Sequence, residues 1–217
     1  MEYIVHGIIL RAQDFKDADR LYSILTLENG LIKASAKSVK KTESKLSGFL
    51  LPSNQVVLML AGGKSGISRI AQVKVEETYS QIVKDHEIFL LFSQSVEVLL
   101  SSFKENSAEQ DIYRITLLFL NDLNSEDLSI EKKKVLQLSY FSQLLKMLGF
   151  QAIKFNIKSK ILSNFLELMF KNDYSKNRDL MLKLKVREND FSVLREWFVD
   201  YLQNILESFM KIYFSLL

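Results

Sequence analysis

The chain reads as an α+β protein, with an N-terminal five-stranded barrel followed by an all-α helical domain. Three observations carry this reading. Apolar residues alternate with period two in the first third and recur at i, i+3, i+4 and i+7 from about residue 79. Turn-forming clusters separate five β-rich runs in that first third. Seven Gly and one Pro in 217 residues leave the remainder open to long helices.

The strands follow in order. Tyr3 to Arg11 is a β-rich run containing Ile4, Val5, Ile8, Ile9 and Leu10. Arg20 to Thr26 is the second, and Glu28-Asn29-Gly30 after it predicts a hairpin, because Asn and Gly tolerate positive φ. Leu31 to Lys37 returns, with Ile32, Ala34 and Ala36 on one face and Leu31, Lys33, Ser35 and Lys37 on the other. Lys37 to Gly48 is a polar connection rich in Lys and Ser. Asn54 to Leu60 and Ile67 to Val75 are the last two strands, joined through the glycines of Ala61 to Gly66. Five short strands so spaced suit a small closed barrel such as the OB-fold, and an SH3-like barrel gives much the same pattern.

Helical periodicity covers His86 to Phe103, Ile112 to Leu120, Ile130 to Leu148, Ile157 to Phe170 and Phe191 to Phe214. Ser125 and Ser129 stand as N-cap candidates and Gly149 as a C-terminal cap. The change of period divides the chain into a barrel domain, residues 1–78, and a helical domain, residues 79–217. Charge divides it too. Residues 1–80 carry a net +3, residues 81–150 a net −3 and residues 151–217 a net +3.

Composition excludes several classes. There is no Cys, so disulfide and thiolate chemistry are excluded, in keeping with a reducing cytoplasm. No window reaches the ~18 uninterrupted apolar residues of a membrane span, and Met1-Glu2-Tyr3-Ile4 does not open a secretory signal. His6 and His86, the two histidines, fall in different regions and are expected on strand and helix surfaces. Without thiolates they make a structural zinc site unexpected, and purified protein is expected to hold no stoichiometric metal. Gly62-Gly63-Lys64-Ser65-Gly66 superficially resembles a phosphate-binding loop. That motif needs a first glycine where Leu58 stands, and it opens a helix rather than joining strands. It is expected to be a hairpin turn. No Ser-His-Asp set, Gly-x-Ser-x-Gly or paired-carboxylate motif stands out, so no catalytic residues are assigned. Trp197, Phe191, Phe198 and Tyr201 have helical spacing and are expected in a core.

The leading candidate site is Lys33, Lys37, Lys40, Lys41 and Lys45. With the single anion Glu43, residues 31–45 carry a net +4. The cluster continues the polar face of a strand, includes Ser35, Ser38, Thr42 and Ser44 as phosphate-oxygen donors, and sits on a barrel type common in nucleic-acid binding. The alternative is a solvated loop. Lys132, Lys133 and Lys134 begin a helix, where the dipole disfavours cations. They are either a solvated helix start or a contact for an anionic partner.

An ordered series of segments resembles the RecO family of DNA repair proteins. It runs His6-Gly7-Ile8-Ile9-Leu10-Arg11, Asp14-Phe15, Ala18-Asp19-Arg20-Leu21, Leu25-Thr26 and Asn29-Gly30. It continues with Ala34-Ser35-Ala36-Lys37, Ser44-Lys45-Leu46, Leu50-Leu51-Pro52 and Ala71-Gln72-Val73. Tyr140 with Leu144-Leu145 and Leu148-Gly149-Phe150 resembles the family's Leu-Gly helix. The resemblance implies an N-terminal OB-fold and a C-terminal helical domain. It also implies binding of single- and double-stranded DNA, annealing of complementary strands, and work with RecR and RecA in recombinational repair at the bacterial nucleoid. Contact with the acidic tail of single-strand DNA-binding protein is implied as well. By position, Arg11, Arg20, Lys33, Lys37, Lys40, Lys41 and Lys45 stand where the family is rich in basic residues.

The chain departs from the family in four places. Residues 151–159 lack the zinc-binding cysteines of many relatives, Ser38 stands where Gly is usual, Phe141 replaces an acidic residue, and Leu138-Ser139 stand where an Arg is often found. The expected function is a non-enzymatic DNA repair and recombination mediator without cofactor, reading backbone with little sequence preference. The rival is a protein-interaction module, a barrel and bundle docked in a nucleoprotein assembly with the lysines merely solvated.

Overall fold

The computed structural model describes residues 2–40, 46–62, 67–105, 110–149, 160–183 and 196. Five strands appear where period two predicts them: β1 Glu2–Asp14, β2 Arg20–Thr26, β3 Gly30–Ala36, β4 Gln55–Ala61 and β5 Ser68–Glu77. They close as β1-β2-β3-β5-β4, with β3 and β5 parallel and the other pairs antiparallel. This order is that of the OB-fold, which settles the alternative of an SH3-like barrel. The described residues pack as two units: Met1–Val83 with Phe103–Leu120, and Lys84–Ser102 with Asn121–Leu217.

In the first unit, alternation puts Val5, Ile9, Tyr22, Ile24, Ile32, Ala34, Ala36, Val56, Leu58, Leu60 and Ile70 inside the barrel. Val39 and Leu50 join this core from the connection between β3 and β4, with Leu46 packed against it, so that polar-looking segment also closes the barrel. The first strand pairs with two neighbours along its length. Its residues Glu2–Ile8 pair with β4 and Gly7–Asp14 with β2, and the β2 register shifts between Ile9 and Arg11. The extra residue at such a bulge increases bend and twist, as a strand must to wrap a small barrel. Ile9 bonds instead to the 53–54 segment: its N–H donates to Asn54 O at 3.0 Å and its carbonyl accepts from Ser53 N at 2.8 Å.

Gly30 takes φ +65 at the hairpin between β2 and β3. The turn is Leu27–Asn29 with Thr26 opposite Gly30, a three-residue loop followed by a left-handed glycine at the start of β3. Thr26 Oγ1 donates to Gly30 O at 2.8 Å and accepts from Asn29 N at 3.1 Å, tying the loop to itself. The segment proposed as a turn at Gly62–Gly66 joins antiparallel β4 and β5, but residues 63–66 lie outside the described residues.

The helices are α1 Ser80–Lys84, α2 His86–Ser102, α3 Gln110–Asn124, α4 Ile130–Met147, α5 Lys160–Lys171 and α6 Tyr174–Lys183. Periodicity predicts α2, α3, α4 and α5 and misses the short α1 and the polar α6. Ser129 caps α4, its hydroxyl accepting from Lys132 N at 3.5 Å. Gly149 follows α4 with φ +85, the left-handed position expected of a C-terminal glycine. The expectation for Ser125 is corrected: no helix starts there, because α3 runs to Asn124 and the chain turns for only five residues before α4. The predicted helix Phe191–Phe214, with Trp197, Phe198 and Tyr201, lies outside the described residues apart from Glu196.

In the second unit, α4 is buried nearly all round and uses polar side chains to grip its neighbours. Gln137 Nε2 donates to Leu91 O of α2 at 2.9 Å. Gln143 Nε2 donates to Met169 O and Asn172 O, each at 3.0 Å. Asn177 Nδ2 also reaches Met169 O, at 2.8 Å. Carbonyls at the end of α5, which have no partner within their own helix, are thereby satisfied.

Candidate nucleic-acid interface

Strand register decides which of the basic residues can act together. Arg11 lies opposite Ser23, and Ser23 opposite Lys33, so the three form one row across β1, β2 and β3. Their neighbours Tyr22 and Ala34 point into the core, so this row is on the outside of the barrel. The same outer face carries Ile8, Leu25 and Leu31 one step along, all buried. Leu31 is thus no part of a solvent-facing polar strip, although it shares the Lys33 face.

Lys33 is engaged: its Nζ lies 2.7 Å from Glu105 Oε1. Arg11 is half-buried, and that burial lowers its guanidinium from the usual range. Arg69 of β5, which sequence reading passed over, is exposed beside Ser35 and so belongs to the Lys33 face. Only strand pairing could reveal it, since it lies well beyond the lysine run in sequence.

A second group forms at the end of the barrel. Asp14, the last residue of β1, pairs with Arg20, the first of β2. Its carboxylate lies 2.9 Å from Lys40 Nζ and 3.5 Å from Arg20 Nε. The Lys40 ammonium, with Arg20 behind it, holds the Asp14 carboxyl below its usual range. Hydrogen bonds from backbone N–H groups join the two loops that carry these groups. Lys40 N donates to Ala18 O at 3.1 Å, and Ser38 N to Asp19 Oδ1 at 2.8 Å. Lys37 is exposed at the same connection. Ser38 has φ +55, a left-handed angle at the position where the family resemblance expects Gly. Lys41 and Lys45 lie outside the described residues.

The structure therefore brings Arg20, Lys37 and Lys40 to one end of the barrel and Arg11 and Lys33 to its outer face. Phe15 and Lys16, on the loop after β1, also stand at that end, with Lys16 Nζ 5.4 Å from the centre of the Phe15 ring.

The three lysines at the start of α4 do not share one exposed patch. Lys133 is 4% exposed, and burial lowers its ammonium against the opposing charges of Asp85 and Glu126. Lys134 Nζ lies 3.3 Å from Glu87 Oε1. Lys132 is half-buried.

His6 is partly exposed, with Nδ1 3.2 Å from Glu76 Oε1, and His86 is exposed at the start of α2. Among the described residues no group of three or more His, Cys, Asp or Glu is placed to hold a metal ion. Among them, too, no helix is long and apolar enough to cross a membrane.

The fold and this cationic end define an OB-barrel protein with an appended helical unit, a class suited to nucleic acid. Residues 1–79 match the family model described as Recombination protein O N terminal. The chain is 30% identical over 171 residues to the DNA repair protein RecO of Clostridium perfringens, covering 76% of this chain and 67% of that protein. It is 34% identical over 110 residues to RecO of Thermobifida fusca, covering 50% and 44%. It is 23% identical to RecO of Mycoplasma mycoides across 96% and 94%. The chain belongs to the RecO family of DNA repair and recombination proteins. It spans about half the length of several relatives it matches.

Proposed function

We propose that this chain is a non-catalytic DNA mediator: it binds single- and double-stranded DNA at the end of its barrel, promotes annealing, and with a RecR-like protein helps load a RecA-type recombinase. The single observation that carries the reading is the convergence of Arg20, Lys37 and Lys40 on one end of an OB barrel in a chain of a DNA repair family. Cations there neutralise phosphates and release counterions, which supplies affinity without reading sequence. Annealing needs no acid or base, only two strands held together with their repulsion screened. Lys41 and Lys45 extend the cationic connection in sequence. Arg11 and Lys33 belong to the same interface if DNA continues onto the outer face, where Lys33 must exchange Glu105 for phosphate. The acidic tail of single-strand DNA-binding protein is a further partner, with Lys132, half-buried at the start of α4, as its candidate contact. The site of action is the cytoplasm, at the nucleoid, with no metal cofactor.

The test is charge removal in the full chain. Lys37, Lys40, Lys41 and Lys45 are changed to Gln, which sets no new carboxylate against Asp14. If about four phosphates are neutralised, log K against log salt slopes near −3 for single strands, at about −0.7 per phosphate. The variant should lose most of that slope and its annealing while unfolding as the parent does. The Asp14→Asn variant should do the reverse, binding more tightly because Lys40 and Arg20 no longer share a carboxylate. Unchanged affinity and slope in the four-site variant would overturn the site. Absence of DNA binding by the parent would overturn the function in favour of a protein-interaction module.

A further inference from the structure

We infer that Phe15 is a base-stacking position for single-stranded nucleic acid, with Lys16 beside it as a phosphate partner. The inference rests on the DNA-binding reading and adds to it which side chain meets a base and why an unpaired strand is preferred.

Phe15 keeps 41% of its surface exposed on the loop between β1 and β2. A single exposed apolar residue is ordinary, so the setting decides. The loop is short and bonded to itself: Phe15 N donates to Asp19 O at 3.2 Å and Asp19 N to Lys16 O at 3.3 Å. It is bonded in turn to the connection after β3, through Lys40 N to Ala18 O and Ser38 N to Asp19 Oδ1. A ring on so braced a loop loses little freedom on binding, which removes part of the cost of association.

The chemistry around the ring matches one ligand class. Lys16 lies within cation–π range of the ring, while Arg20 and Lys40 share Asp14, the residue before Phe15. A π-face next to several cations is the pairing that single-stranded nucleic acid needs, one surface for the base and one for the backbone. Phe49 and Phe89 are about as exposed, yet neither has a cation over its ring among the described residues. Duplex DNA meets the same cations, but its base faces are already stacked. The ring therefore favours the unpaired strand alone.

The experiment measures binding of the full chain to oligothymidylate and to a mixed-sequence duplex at two salt concentrations. Phe15→Leu keeps an apolar side chain and removes the π-face. It should weaken single-strand binding by about fivefold to a hundredfold, the span of base–aromatic stacking, with duplex affinity and both salt slopes unchanged. Phe15→Trp should restore or exceed parental binding, and ultraviolet cross-linking of the parent to oligothymidylate should map to Phe15. If Phe15→Leu binds single strands as the parent does, stacking is overturned and the cationic DNA site stands. Equal loss on both DNAs with lowered thermal stability makes the ring structural and overturns the inference as well. If the parent binds neither DNA, the functional reading fails and the stacking inference falls with it.

Discussion

Ser38 holds a backbone angle that its side chain resists. A left-handed conformation costs a non-glycine residue about 1–2 kcal/mol, and Ser38 adopts φ +55 where its N–H meets Asp19. Ser38→Gly keeps that N–H and removes the strain. The unfolded chain gains freedom worth about 0.5–1 kcal/mol in return. A net stabilisation of about 0.5–1 kcal/mol is expected, read as a higher urea midpoint at unchanged slope. Gly7 is the opposite case. A Cβ there would come within 2.7 Å of Ile24 Cγ2, and Ile24 is fully buried with little rotamer choice. Gly7→Ala should cost about 1–3 kcal/mol, as overpacking does, and adding Ile24→Leu, which lacks that methyl, should recover part of it. Neither effect is legible in one sequence: Ser38 differs from a family habit without saying why, and nothing near Gly7 names Ile24, seventeen residues away.

At the scale of elements, period two located all five strands because one face of each is packed into the barrel, cleanly in β4, whereas β1, β2 and β3 also bury Ile8, Leu25 and Leu31 on the outer face. The helices were less evenly legible. α2 and α3 have apolar stripes, but α4 buries Lys133, Gln137, Ser139, Ser142 and Gln143 along with its leucines. Sequence patterning treats those residues as surface, and only partners on α2 and α5 explain Gln137, Ser142 and Gln143. α6 escaped notice for a related reason. Its Asn177 and Arg178 are spent on tertiary bonds rather than on an apolar face. Asp122, 2% exposed near the end of α3, accepts from Arg178 Nε at 2.6 Å and from Tyr174 OH at 3.0 Å. Asp122→Ala should destabilise by about 2–3 kcal/mol, less than the 3–5 of a fully buried pair because Arg178 still reaches water. Thermal unfolding of that variant beside Arg178→Met and the double variant would measure the coupling.

For the whole molecule, ionisation sets limits at high pH. Burial raises Tyr79 and Tyr113 to about 12, with the charge of Glu77 adding at the first and Glu76 at the second. The Gln55 amide opposes the shift at Tyr113 without fully cancelling it. Burial, and then Asp122, raises Tyr174 well above the ordinary value. Each raised pKa favours the neutral phenol in the folded state. Their contribution is therefore complete below about pH 10, the unfolded value, and that of Tyr79 and Tyr113 is lost as pH rises through about 12. Phenolate absorbance should show a late fraction that appears together with loss of near-ultraviolet ellipticity. Smooth titration of every tyrosine near pH 10 with the fold intact would contradict this. The proposed surface was half legible on the same scale. The lysine run named Lys37 and Lys40 because charge density is visible in one dimension. Arg69, Phe15 and Lys16 join the picture only when strands pair and loops meet, and the Asp14 carboxylate that restrains Lys40 comes from 26 positions away.

The parallel pairing of β3 with β5 also sets an order of events during synthesis. Ala34 meets Ser68 and Ser35 meets Arg69, so the closing contact spans 34 residues, whereas β2 and β3 meet across three. Closing a long loop costs more entropy and must precede its reward, which slows folding through such contacts. A nascent chain that has released only β1, β2 and β3 can form a meander whose β3 edge is unpaired. Such an edge invites association with other chains. Lys33 on β3, with Lys37 just past its end, leaves a charge beside that edge until β5 emerges. The residues read as a grip on phosphate can thus also keep the half-made barrel from its neighbours on the ribosome, and a chain truncated before Ser68 should stay monomeric at low salt and aggregate as salt screens them.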